Sequence, residues 1–203
     1  MKTHSFRKNL AQRGMVLVSS LLLLIVVTII ALSMFRSFGI QEKIAGNVRE
    51  KQRALQAAVS AESFAENWLS LYGPTTPSAP CSNLLNGNIG QGQICSNALT
   101  GPTPAVADVT VVPWQIGGAP VGVSYLPLTS MAISQTPSVS AAANPTYYGT
   151  PTFYISDMGP SADPNFPGGE VYQIDAYGYG GNSNTVAEVE STYVVYTTSK
   201  LLE

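Results

Sequence analysis

Between Ala54 and Ser199 the chain has no lysine and no arginine, and its one histidine, His4, lies close to the start. Chemistry that leans on these side chains is therefore absent from most of the protein. There is no imidazole for a general base, a triad or a zinc site. There is also no ammonium nucleophile and no cationic clamp for an oxyanion or a phosphate. A carboxylate-only enzyme of the glycosidase kind would need two acids set in a cleft. The sequence has no G-x-S-x-G, P-loop or H-E-x-x-H pattern, so no enzymatic activity and no cofactor is expected. The region 54–203 holds ten acids against Lys200 alone, a net charge near −9. Such a surface repels phosphate backbones and excludes nucleic acid as a partner.

Proline is missing from Met15 to Tyr72, and glycine occurs there only at Gly39 and Gly46. A continuous helix over that stretch would reach about 87 Å, far beyond the length usual in a globular domain. From Met15 to Phe35 charge is missing too. As a helix this run measures about 31 Å, which matches the hydrocarbon core of a bilayer. Ahead of it lie Lys2, Arg7, Lys8 and Arg13 with no acid. The positive-inside rule then keeps the N-terminus in the cytoplasm and sends the bulk of the chain to the other side of the membrane. A cleaved secretory signal would have a shorter apolar core and a small-residue cutting site behind it. Neither feature is present.

The helix-compatible stretch turns amphipathic beyond the apolar run. Ile44, Val48, Leu55 and Val59, then Ala61, Phe64, Trp68 and Leu71, recur at three- to four-residue spacing and predict the buried face. Gly73 is the expected C-cap, with prolines behind it. Two cysteines, Cys81 and Cys95, follow on the exported side and predict a disulfide. Residues 73–150 are rich in Pro, Gly, Ser, Thr and Ala, and their path is not legible. The last fifty residues contain three Tyr/Val/Ile-rich runs, "TPTFYISDM", "GEVYQIDAYGYG" and "NTVAEVESTYVVYTT", separated by strong turn sequences. The expected fold is α+β: a long N-terminal helix, membrane half plus amphipathic half, packed on a C-terminal antiparallel sheet. Clustered tyrosines there, among them Tyr154, Tyr172, Tyr177 and Tyr179, read first as cross-strand packing. The acids Asp157, Asp163, Glu170 and Asp175 flank one turn and carry the oxygens that Ca²⁺ takes, although their spacing fits no EF-hand.

Taken together, "RGMVLVSSLLLLIVVTIIAL" behind a short basic leader resembles the N-terminus of a type IV pilin. The segment "SFGIQEKIAGNVREKQRALQAAVSAESFAENWL", residues 37–69, resembles the post-membrane segment of PilX-type minor pilins. Its QE-x-x-AGN-x-R-x-x-x-x-A-x-QAA pattern is met by Gln41, Glu42, Ala45, Gly46, Asn47, Arg49, Ala54, Gln56, Ala57 and Ala58. The C-terminal strands resemble that family less specifically.

The resemblance implies that a prepilin peptidase cuts between Gly14 and Met15 and that Met15 becomes N-methylated. Residues 1–14 would then be a removed leader, 15–36 a membrane and filament-core helix, and 37–72 its continuation into the exported domain. A variable region would fill 73–150 and a β-meander 151–203. Other minor pilins, the major pilin and a large tip adhesin are the partners it implies, with Gln41, Glu42, Gly46, Asn47 and Arg49 serving assembly. Most pilins carry Glu at the fifth mature position, where it offsets a neighbour's buried amine. Here that residue is Ser19, and no acid appears before Glu42. A place at the pilus tip, in a complex that primes assembly for motility and adhesion, follows from the resemblance. The competing readings are an uncut bitopic inner-membrane scaffold or receptor and a pseudopilin of type II secretion.

Overall fold

The computed structural model describes residues 12–87, 92–99, 111–125, 131, 133, 146–162, 164 and 168–196. One helix, α1, runs from Gln12 to Tyr72. A 3-10 turn, Gly73–Thr75, follows it. The strands are β1 Leu84–Gly87, β2 Ile94–Cys95, β3 Gln115–Ile116, β4 Ala119–Pro120, β5 Gly122–Tyr125, β6 Thr152–Pro160, β7 Gly169–Tyr179 and β8 Val186–Tyr196. The chain divides into two compact units at Asn47/Val48.

The first unit contains the apolar part of α1. Its side chains from Met15 to Phe35 are exposed, with Ala31 half-buried. The hydroxyls of Ser19, Ser20 and Thr28 donate to the carbonyls of Val16, Leu17 and Ile25, three residues back. These bonds satisfy three of the run's polar side chains within the helix, as an apolar surrounding demands.

In the second unit the remainder of α1 lies on a mixed sheet ordered β1-β5-β6-β7-β8, with β2 also pairing β6. The β6–β7–β8 meander is antiparallel, with partners such as Ile155↔Ile174 and Asp175↔Glu190. Two pairings depart from the antiparallel expectation: β1 runs parallel to β5, and β2 parallel to β6. Both involve short strands from the region whose path the sequence left open. The hairpin between β7 and β8 is closed by Asn182, whose Oδ1 accepts from the Asn184 amide and the Thr185 hydroxyl.

Because side chains alternate along a strand, β7 sends Tyr172, Ile174 and Ala176 to one face and Gln173, Asp175, Tyr177 and Tyr179 to the other. The first set joins Ala61, Ala65, Trp68 and Leu69 of α1 with Phe153, Ile155 and Val195 in the main core. The second set lies under Trp114, Val121, Leu99, Tyr154 and the Cys81–Cys95 disulfide. Both faces of β7 are thereby covered, which is why it reads as a nearly unbroken buried run. Tyrosines serve this packing: Tyr177 meets Trp114 edge-on at 4.7 Å, and Tyr154 donates its hydroxyl to the Asn97 carbonyl at 2.6 Å.

Two helix features differ from the sequence reading. The buried face of α1 is Ala54, Ala57, Ala58, Ala61, Ala65, Trp68 and Leu69. Val48, Leu55, Val59 and Leu71 point outward instead. The reason lies across the interface, at Gly178. A Cβ there would lie 2.5 Å from the Ala58 amide nitrogen and 2.7 Å from the Ala54 carbonyl oxygen. The helix backbone is thus seated directly on β7, and only small residues fit between. Gly73 forms part of the 3-10 turn rather than a left-handed cap. It is small because a Cβ would press on Leu69 Cδ1 at 2.9 Å.

Candidate assembly surface

Once alanines face the sheet, the larger aliphatics of α1 are left on the surface. Val48, Leu55 and Val59 are 50, 44 and 41 % exposed, and Ile40 and Ile44 of the first unit are more exposed still. Within the second unit Val48, Leu55 and Val59 recur at helical spacing, and exposed apolar side chains so placed mark a surface for partners. The sequence places Gln41, Glu42, Gly46, Asn47 and Arg49 beside it, and all five are exposed. A Cβ at Gly46 or Gly39 would meet nothing within 4 Å, so no packing within this chain requires glycine there. Gly14 and Met15 lie inside α1, and Met15 is 78 % exposed.

What the sequence reading missed is the clamp that holds α1 on the sheet. Glu50 Oε1 accepts from Arg53 at 2.7 Å, and Glu50 Oε2 accepts from the Gly181 amide at 2.6 Å. Burial raises the Glu50 pKa, but the Gly181 and Arg53 hydrogen bonds and the charges of Arg53 and Arg49 outweigh it, so the net shift is downward. Arg53 also donates to the Thr146 carbonyl at 2.7 Å and stacks over the Tyr147 ring. Lys51 donates to the Val186 carbonyl at the start of β8. A signal for this was present, since Lys51 and Arg53 are the last cations before the long cation-free stretch.

The acids considered for Ca²⁺ are not brought together as a set: Asp157 and Glu170 both act on Tyr172, but Asp175 does not join them. Asp157 pairs with Tyr172, whereas Asp175 pairs with Tyr154 three positions along β7, and so projects from the opposite face. Asp157 accepts from the Gly159 amide at 2.9 Å. Asp163 lies outside the described residues. Among the described residues no three His, Cys, Asp or Glu side chains are grouped to hold a metal ion.

The architecture is α+β: one long N-terminal helix, apolar and exposed in its first part and long enough there to cross a membrane, with its second part packed on a mostly antiparallel sheet. Residues 13–60 match the family model described as PilX N-terminal. That match supports a type IV pilus minor pilin of the PilX family, whose members are structural components rather than enzymes. No curated protein and no solved structure matches the chain.

Proposed function

We propose that this minor pilin is cut between Gly14 and Met15, N-methylated at Met15, and incorporated at the pilus tip in a complex that primes assembly. Residues 1–14 are then the leader, and Met15 onward is retained, first as a membrane anchor and later as filament core. The N-terminus sits in the cytoplasm and the folded domain in the periplasm, as the four leader cations favour. Residues 73–150 are the family's variable region and 151–203 its meander. Other minor pilins, the major pilin, the prepilin peptidase and a tip adhesin are the partners, in support of motility and adhesion.

The observation that carries the tip placement is Ser19. Its hydroxyl is spent on the Val16 carbonyl, and no carboxylate precedes Glu42 to meet a neighbour's terminal amine. An uncompensated charge buried among apolar helices costs several kcal/mol (of order 3–5). A subunit without the carboxylate is therefore poorly suited to repeat along a shaft, yet fits an end where no further subunit presents an amine.

The test is the intact mass of the membrane-isolated protein with and without prepilin peptidase. Peptidase-dependent loss of residues 1–14 plus one methyl group is expected. A full-length mass in both strains would overturn the proposal and leave an uncut bitopic membrane protein.

A further inference from the structure

Strand β8 ends the sheet, and among the described residues no strand pairs with its outer edge. The ladder shows which residues present their backbone there. Gly180 donates its amide to the Thr185 carbonyl, so this opposed pair is a hydrogen-bonded one. The alternation of antiparallel pairing then turns the amides and carbonyls of Ala187, Val189, Ser191, Tyr193 and Val195 toward β7. Those of Val186, Glu190, Thr192 and Val194 turn outward. The Lys51 ammonium, bonded to the Val186 carbonyl, is placed as this parity requires.

Edges of this length are commonly blunted by proline, a bulge, lysine or brevity. Strand β8 is eleven residues long and has neither proline nor lysine, and its register with β7 is unbroken from Tyr196 to Val186. Its side chains are acidic. Glu188 and Glu190 are exposed on one face, and Asp175 of β7 is registered opposite Glu190.

We propose that the outer edge of β8 takes an added β-strand from a different protein, one with lysine or arginine at alternate positions. Three features of the molecule commit the edge to that occupant. Strand addition supplies backbone hydrogen bonds, and alternate side chains supply selectivity. Cations two residues apart fall on one face, opposite Glu188 and Glu190, where opposite charges stabilise a cross-strand pair. A second copy of this chain is a poor donor, because its residues 54–199, every strand included, offer no cation to set against these glutamates. The proposal is independent of leader cleavage and of tip placement.

The experiment uses the full chain in detergent and two labelled peptides, one alternating Lys with Val and one alternating Glu with Val. Binding is followed by fluorescence anisotropy, and amide exchange is read residue by residue. The Lys/Val peptide is expected to bind and to protect the outward amides of Glu190, Thr192 and Val194. Those of Val189, Ser191 and Tyr193 are protected with or without it.

Thr192→Pro removes an outward donor and leaves the β7–β8 ladder intact, and is expected to weaken binding by about tenfold. Glu190→Lys keeps the edge geometry and is expected to weaken binding several-fold at low salt, with a smaller effect at high salt. Should Thr192→Pro fail to fold, Glu190→Lys and the amide pattern still decide. Each of four results would overturn the proposal: no Lys/Val binding, equal Glu/Val binding, binding without new amide protection, or protection of the outward amides by self-association alone.

Discussion

At the scale of single residues, Gly178 shows how one missing side chain decides where a helix lies. Its neighbours across the interface are the Ala58 amide and the Ala54 carbonyl, neither of which can rotate away. Gly178→Ala should therefore lower stability by about 1–3 kcal/mol, the usual cost of overpacking, and urea unfolding in detergent would measure it. Asp175 illustrates a different economy. It is buried, with Gln173 Nε2 donating to both carboxylate oxygens at 3.2 and 3.3 Å. Burial pushes its pKa up to about 6, with Glu190 and Glu188 adding and Gln173 opposing. Tyr154 faces it from β6, and no cation between Ala54 and Ser199 is there to offset it. The native state thus holds this proton more tightly than the unfolded chain, whose carboxyl titrates near 3.8. Stability contributed by the protonated form is lost as pH rises from about 4 to about 6, on the order of 2–3 kcal/mol in all. Asp175→Asn should be more stable than the wild type at pH 7.5 and should flatten that slope, as melting curves across the window would show.

At the scale of elements, the three C-terminal strands were legible because each is a long β-branched or tyrosine-rich run bounded by Gly, Pro and Asn. The parallel partners were not. Strand β2 has two residues and β1 four, and both pair with strands far along the chain, so no local pattern announces them. The burial of α1 was misread for a physical reason. Large aliphatics are ordinarily a helix's inner face, but a glycine in the facing strand lets the helix come so close that alanine becomes the core residue. The stripe at 54, 57, 58, 61 and 65 has the right spacing and was visible in principle. The Cys81–Cys95 bridge, expected from compartment and count, is present and closes β2 against the second face of the sheet. On the chain-entropy model a loop of this size contributes about 3 kcal/mol. Reduction should lower stability by roughly that amount and speed amide exchange at Ile94 and Cys95 while leaving β7 and β8 protected. Hydrogen exchange with and without a reductant tests both parts.

At the scale of the whole molecule, function is a matter of what the chain associates with. Ser19→Glu would supply the carboxylate that a shaft position calls for, and on the tip reading it should impair incorporation or leave it unimproved. Immunolabelling of sheared pili would count it; abundant labelling along the shaft would require another reason for the serine. On the priming proposal, deleting the gene should abolish or sharply reduce surface pili, because priming precedes elongation. Pili that persist at normal number but fail to adhere would move the protein from priming to adhesion.

By itself the sequence determined the apolar span, the basic charge ahead of it, the lack of cationic and imidazole side chains over residues 54–199, the disulfide and the pattern in residues 37–69. Each of these is written in composition or in spacing along a short stretch of chain, and needs no knowledge of what lies across the core. Tertiary structure alone decided which face of α1 is buried, which acids share a side of the sheet, and which backbone groups of β8 point outward. It also decided that Glu50, Lys51 and Arg53 serve as a clamp. Those outcomes depend on pairs such as Ala58 with Gly178 and Glu50 with Gly181, more than a hundred residues apart in sequence and brought together only when the helix settles on the sheet.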